Sequence, residues 1–242
     1  MPTEPVAYEF GETLAKLQGK QLETTFLAEI ISHHAGAIEM AELELQRGMD
    51  ADIRTHAENI IANQKHQVEQ FTRWLHQWYG LTPEEAMEQA PDEARQEMAE
   101  SEKGMQHMLE ELRQVDKGER FDVEFVRMMI PHHSSGVIEF LEPQARAPHA
   151  QLRVAAATGI TNQEAEIADF RTWLASHTMD HAMDHAMEMD DTGMMPKGAA
   201  DTGDGASQAS TVPIVATGAG LAAAGGALGV VAVRRRRGAQ QG

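Results

Sequence analysis

The chain contains no cysteine. That excludes disulfide staples, thiolate metal sites and cysteine nucleophiles, and leaves imidazole, thioether and carboxylate as the side chains able to ligate a metal. Basic residues are scarce too: Lys and Arg number 20 against 38 Asp and Glu, a formal charge of −18. Such a chain repels nucleic acid and anionic substrates and attracts cations. Catalytic signatures are also missing. No Glu-x-x-His occurs, nor His-Glu-x-x-His, a glycine-rich phosphate loop or a Gly-x-Ser-x-Gly elbow. A di-iron carboxylate centre therefore lacks its motif, and so do the familiar hydrolase and nucleotide sites. The expectation is a protein that is not an enzyme and does not bind nucleic acid. Methionine, by contrast, is plentiful, with 15 copies beside 12 His in 242 residues, a pairing that suits a soft or borderline metal.

Apolar residues recur at helical spacing through the first 178 residues, and strand-type alternation is absent. Long helices are expected near 22–47, 51–78, 93–115, 122–145 and 149–178. Gly48, Gly80 and Gly118 follow these stretches as helix stops do, and Thr82-Pro83-Glu84-Glu85 supplies an N-cap, an N1 proline and a capping-box glutamate. An internal repeat sets the architecture. Phe26, His33, His34, Gln64, Trp74 and Leu75 recur 99 residues later as Phe125, His132, His133, Gln163, Trp173 and Leu174. Each repeat, about 10–80 and 109–178, reads as a helical hairpin whose apolar stripe cannot be buried alone, so the two should pair into an all-α four-helix bundle spanning 1–178, with 81–115 as the crossover. Near Gly36 and Gly136 an offset of 100 matches better, which predicts a one-residue bulge in the second helix of the repeat pair.

The C-terminal end reads differently. Residues 196–211 are a Gly/Ala/Ser/Asp linker with too little apolar content to fold. Val212 to Val233 is an uncharged, mostly apolar run long enough to cross a bilayer, and Arg234 to Arg237 follow it at once. By the positive-inside rule residues 234–242 form a basic cytoplasmic tail and the bulk of the chain lies outside a cell membrane crossed once. That topology needs an export signal. The start, MPTEPVAYEF, has neither a basic beginning nor an apolar core, so the signal is expected to lie upstream or to have been trimmed. A cell-wall sorting signal is the minority alternative, because Thr217-Gly218 lacks the Leu-Pro or Leu-Ala lead such signals carry.

His33 and His34 flank the centre of a stripe made by Phe26, Ile30, Ala37, Met40 and Ala41, with Met40 a candidate ligand beside them. In the second repeat His132 and His133 fall within Phe125, Met129, Val137 and Phe140, and Met128–His132 and Met129–His133 are i,i+4 pairs suited to chelation. Glu29 and Ile30 hold the corresponding places in the first repeat, so the second site is expected to be the richer in soft ligands. Gln64 and Gln163 lie on the inward stripes of the partner helices, where orienting the imidazoles is the economical role for a buried amide. A histidine and glutamine network satisfied within the bundle is the alternative. Glu39 falls outside the stripe and is expected on the surface.

Residues 179–211 join a Met/His-rich segment to the linker. Ser176 to Met195 carries six Met and three His, with His181-Ala182-Met183-Asp184 repeating as His185-Ala186-Met187-Glu188. Its candidate ligands are His177, Met179, His181, Met183, His185, Met187 and Met189, expected on a flexible tail. Met105, His107 and Met108 form a smaller candidate on the crossover, where a core or surface role is equally open.

With these motifs quoted, Phe26 to Ala41 with Gln64 to Leu75, and Phe121 to His133 with Gln163 to Leu174, resemble the CopM-like bacterial family, a domain of unknown function. The resemblance covers about residues 10–178. It implies a ferritin-like bundle, exported, in a family tied to copper binding and resistance through Met and His. The resulting expectation is an extracytoplasmic, membrane-anchored copper protein holding Cu(I) and Cu(II), with silver as a mimic, that acts in sequestration or resistance. A delivery chaperone with a copper-transport partner, or a surface interaction module without metal, are the alternatives.

Overall fold

The computed structural model describes residues 5–190, with side chains described through His177. The expected linker, the apolar run 212–233 and the basic tail lie outside the described residues. Among the described residues the chain is all-helical, and no helix is long and apolar enough to cross a membrane.

Seven helices follow one another: α1 (Pro5–Lys16), α2 (Gly19–Arg47), α3 (Ala51–Tyr79), α4 (Pro83–Glu88), α5 (Asp92–Gln114), α6 (Glu119–Arg146) and α7 (Ala150–Asp190). The five expected long helices stand within a few residues of their places, except that α7 runs on to Asp190. The segment expected to be flexible beyond 178 is therefore helical for twelve more residues, consistent with a stretch free of Gly and Pro until Gly193. Helix α1 was not among the expected elements.

Local chemistry explains the boundaries. The Asp50 side chain accepts the backbone N–H groups of Asp52 and Ile53, both at 3.0 Å, and starts α3. Gly80 ends α3 in the left-handed region at φ 69°, and Thr82 with Glu85 closes the expected capping box over Pro83. Gly48 stops α2 for another reason: its backbone is extended, and a Cβ there would overlap the Glu44 carboxyl and stand 2.5 Å from Asp122 Oδ1.

Helices α2/α3 and α6/α7 form two hairpins joined chiefly through α2 and α6. Their packing repeats at the offset of 99. Phe26 meets Phe71 edge-on at 6.4 Å, as Phe125 meets Phe170 at 6.1 Å. Glu23 accepts the backbone N–H of His149 at 2.7 Å, and its counterpart Asp122 accepts those of Met49 and Asp50 at 2.9 and 3.1 Å, so each hairpin holds the first turn of the other hairpin's second helix. The same exchange governs α1 and α5. Helix α1 crosses α6, where Gly11 lets it approach Ile138, and the C-terminal half of α5, the counterpart of α1, crosses α2 over Gly36. Arg146 fastens α1 by donating to the carbonyls of Leu14, Ala15 and Leu17 at 3.1 Å.

The expected bulge is absent: α6 is a continuous α-helix through Pro131 and Pro143. The two glycines serve different neighbours. Gly136, the counterpart of Ala37, lies under the Gln163 amide, whereas Gly36 lies under the Met105 thioether.

Burial, then the hydrogen bond and charge of Asp122, push the Glu44 carboxyl up to about 9. Its contribution to stability is full below the ordinary carboxylate range and is lost as pH rises through that value. Glu44→Gln should therefore melt above the wild type at about pH 8, by several °C, and show a flatter decline of melting temperature between about pH 5 and 9. Thermal melts of the two chains across that range, showing parallel curves, would refute the assignment.

Candidate metal centre

All four histidines of the repeated motif are buried, but they divide into two kinds. His33 and His132, equivalent at the offset of 99, meet across the α2/α6 seam with ring centroids 3.9 Å apart. All four of their ring nitrogens are buried without a hydrogen-bond partner. His34 and His133 turn instead toward the second helix of their own hairpins. His34 Nε2 donates to Gln67 Oε1 at 2.8 Å and His133 Nε2 donates to Glu166 Oε2 at 2.6 Å, which leaves both Nδ1 atoms buried and unpartnered. Helical geometry makes this division: adjacent residues project about 100° apart, so a His-His pair on a seam sends one ring to the facing helix and the other to the flank.

The orienting hydrogen bonds thus come from Gln67 and Glu166, not from the expected Gln64 and Gln163, whose Oε1 atoms are buried and unpartnered. The two sets are one turn apart on the same helix faces. Both obey the repeat offset, so the signal for Gln67 and Glu166 was present in the sequence.

His33 and His132 form part of the wall of a cavity of about 70 Å³ bounded by α1, α2, α5 and α6. Met128, Glu29 and Glu139 also line it, as do Met105, His107 and Met108 on α5. Desolvation governs the charges. Burial, with help from His34 and His133, pushes the His33 imidazole down to about 3, and burial opposed by the Gln67 hydrogen bond takes His34 to about 4. His132 is lowered well below the ordinary range by burial and by His33. These imidazoles are therefore neutral at neutral pH and keep a lone pair free. Burial likewise raises Glu29 to about 7, and lifts Glu139 well above the carboxylate range with Glu29 reinforcing it. Among the described residues no three His, Asp or Glu side chains converge as a metal-binding group. Met105, Met108 and Met128 bring thioethers to the cavity, and His107, Glu97 and Glu111 bring a further imidazole and carboxyl groups.

Other expected ligands lie elsewhere. Met40 and Met129 are fully buried in the core cluster around Phe121, Phe125 and Phe170 and do not line the cavity. His177 stacks on Trp173 at 3.8 Å with Nε2 3.7 Å from Asp50 Oδ2, which ties α7 to the start of α3. The side chains of Met179, His181, Met183, His185, Met187 and Met189 lie outside those described. Glu39 is on the surface as expected, paired with Arg113.

An all-helical bundle of two similarly packed hairpins, with His33 and His132 buried at their seam and His34 and His133 buried beside them, defines the class. The chain belongs to the family described as Domain of unknown function (DUF305), whose pattern matches residues 23–174. Among solved structures it is similar to CopM in the Cu(II)-bound form, at 26% identity and a TM-score of 0.53 over 66% of this chain and 99% of that one. CopM in the Ag-bound form obtained by co-crystallization is similar at 25% identity and a TM-score of 0.51, over 64% of this chain and 96% of that one. A DUF305 protein from Streptomyces coelicolor shares the fold at 23% identity and a TM-score of 0.54, over 64% of this chain and 92% of that one. No curated protein sequence matches this chain significantly.

Buried imidazoles without partners cost stability. Because the folded pKa values are depressed, the unfolded chain takes up protons that the native bundle refuses, and stability falls as pH drops from the ordinary histidine value toward about 3. Replacing both rings with apolar ones, as in His33→Leu with His132→Leu, should raise the apo melting temperature at about pH 5 by several °C and flatten the acid limb. A double variant that melts lower than the wild type at that pH would show that the rings stabilise the bundle.

Proposed function

We propose that this protein binds copper outside the membrane and acts in copper sequestration or resistance, with His33 and His132 as ligands at the α2/α6 seam and Met128 as a thioether donor beside them. The observation that carries the reading is the set of four buried, unpartnered nitrogens on these two rings, facing a cavity whose other soft donors are thioethers. A neutral imidazole pair with sulfur nearby suits Cu(I) and, by the same softness, silver. The similarity to CopM, solved with Cu(II), Cu(I) and Ag, supports the choice of metal. When bound, the ion would neutralise the polar deficit of the seam. Gln67 and Glu166 would hold His34 and His133 with Nδ1 free, a further imidazole pair flanking the first. The tail ligands His181, Met183, His185, Met187 and their neighbours would add a separate store.

Topology belongs to the same proposal: 212–233 as a single membrane span, the bulk extracytoplasmic, with no catalytic role. A delivery chaperone differs from a store in affinity, since a store holds its metal more tightly than a carrier.

Titrating the full chain with Cu(I) and Cu(II) tests the assignment. Because His33 and His132 meet each other, His33→Ala alone should cost nearly as much Cu(I) affinity as the pair His33→Ala with His132→Ala, a loss on the order of a hundredfold for removing one of few ligands. His34→Ala with His133→Ala should cost less. The seam assignment fails if the two double variants lose equally or if neither loses affinity.

A further inference from the structure

The seam histidines are almost wholly buried, so an ion that reaches them must cross a wall, and that wall carries donors of its own. Along α5 the side chains of Met105, His107, Met108 and Glu111 all border the same cavity as His33 and His132. They differ in exposure in a graded way. The His107 side chain is 72% exposed, and Glu111, one turn on at 3.3 Å from its Nε2, is 40% exposed. Met105 and Met108 are half-buried, and His33 and His132 are buried at 8% and 4% exposure. The His107 imidazole and the Glu111 carboxylate thus stand side by side as the exposed donors bordering the cavity.

The berth of Met105 is specific. A Cβ on Gly36 would stand 2.6 Å from its sulfur and 2.7 Å from its terminal methyl, so glycine at that position leaves the thioether room against α2, three residues from His33. Met105 also borders, with His33 and Gly36, a second small cavity on the other side of the α2/α5 contact. Core packing alone would be met as well by Leu at 105 and 108, and it would not call for an exposed imidazole and carboxylate at the same opening.

We propose that Met105, His107, Met108 and Glu111 form a port through which Cu(I) is captured at the surface by an imidazole and a carboxylate, passed over two thioethers and delivered to His33 and His132. This rests on the reading of the seam as the copper site. Soft ions exchange between thioethers without a proton change, so the handover needs no co-reactant. The port governs how fast the site fills, while the seam governs how tightly it holds.

The test uses the full chain with the Met and His residues of 179–195 replaced by Leu and Gln, so that the tail does not compete. Cu(I) supplied from a coloured chelator complex is followed by the loss of the chelator's absorbance in a stopped-flow instrument, and affinity is measured separately at equilibrium. Met105→Leu with Met108→Leu keeps the packing volume. It should slow loading about tenfold or more and leave the final affinity within about threefold, and His107→Gln should slow loading most at low metal concentration. Unchanged loading rates in these variants overturn the port, and so does an affinity loss as large as that of His33→Ala, because Met105 and Met108 would then be ligands of the seam itself. If the double variant loses its helical signal, Met108→Leu and His107→Gln alone carry the same test. Failure of the copper reading is separate: His33→Ala with His132→Ala would then bind Cu(I) as well as the parent chain.

Discussion

Two uncharged imidazoles face each other 3.9 Å apart in the middle of a helical bundle, with no hydrogen bond to either. Everything near them is arranged around that desolvation. It keeps the rings neutral, it keeps Glu29 and Glu139 from ionising freely at the same cavity, and it makes the rings' own hydrogen-bonding capacity available to something not supplied by the chain. A bundle optimised only for stability would place aliphatic side chains at positions 33 and 132. The surrounding aromatic pairs, Phe26 with Phe71 and Phe125 with Phe170, provide the rigid frame that lets the polar seam persist.

Much of this frame was legible in the sequence, because duplication writes itself as an offset. The hairpins, their partner helices, the capping box at Thr82 and the inward histidines follow from periodicity and from the spacing of 99 residues. What periodicity cannot state is which neighbour an inward residue meets. Gln64 and Gln67 share a helix face, and only the packed bundle selects Gln67 as the partner of His34. Met40 and Met128 both lie on inward stripes, yet one fills the core and the other borders the cavity. Glu29 was visible as a departure from the repeat, while its proximity to Glu139 depends on how α2 crosses α6. The misplaced bulge has a similar cause: two glycines one residue out of register suggested an insertion, when each in fact makes room for a side chain from a different helix.

The two kinds of histidine also show how one motif serves two purposes. The ring at the seam is left without partners, and its neighbour in sequence is tied to the flank by Gln67 or Glu166. Tying the second ring fixes that ring's own orientation and tautomer and leaves its Nδ1 without a partner. The difference between Gln67 and Glu166 means that the halves, though built alike, are not electrically alike.

The exchange of α1 and α5 between halves bears on how the molecule comes to be assembled. Helix α1 rests on α6 and is held by Arg146, whose hydrogen bonds span up to 132 residues of sequence. Helix α1 thus gains this clasp only when the last turn of α6 is in place, and contacts this remote in sequence slow folding.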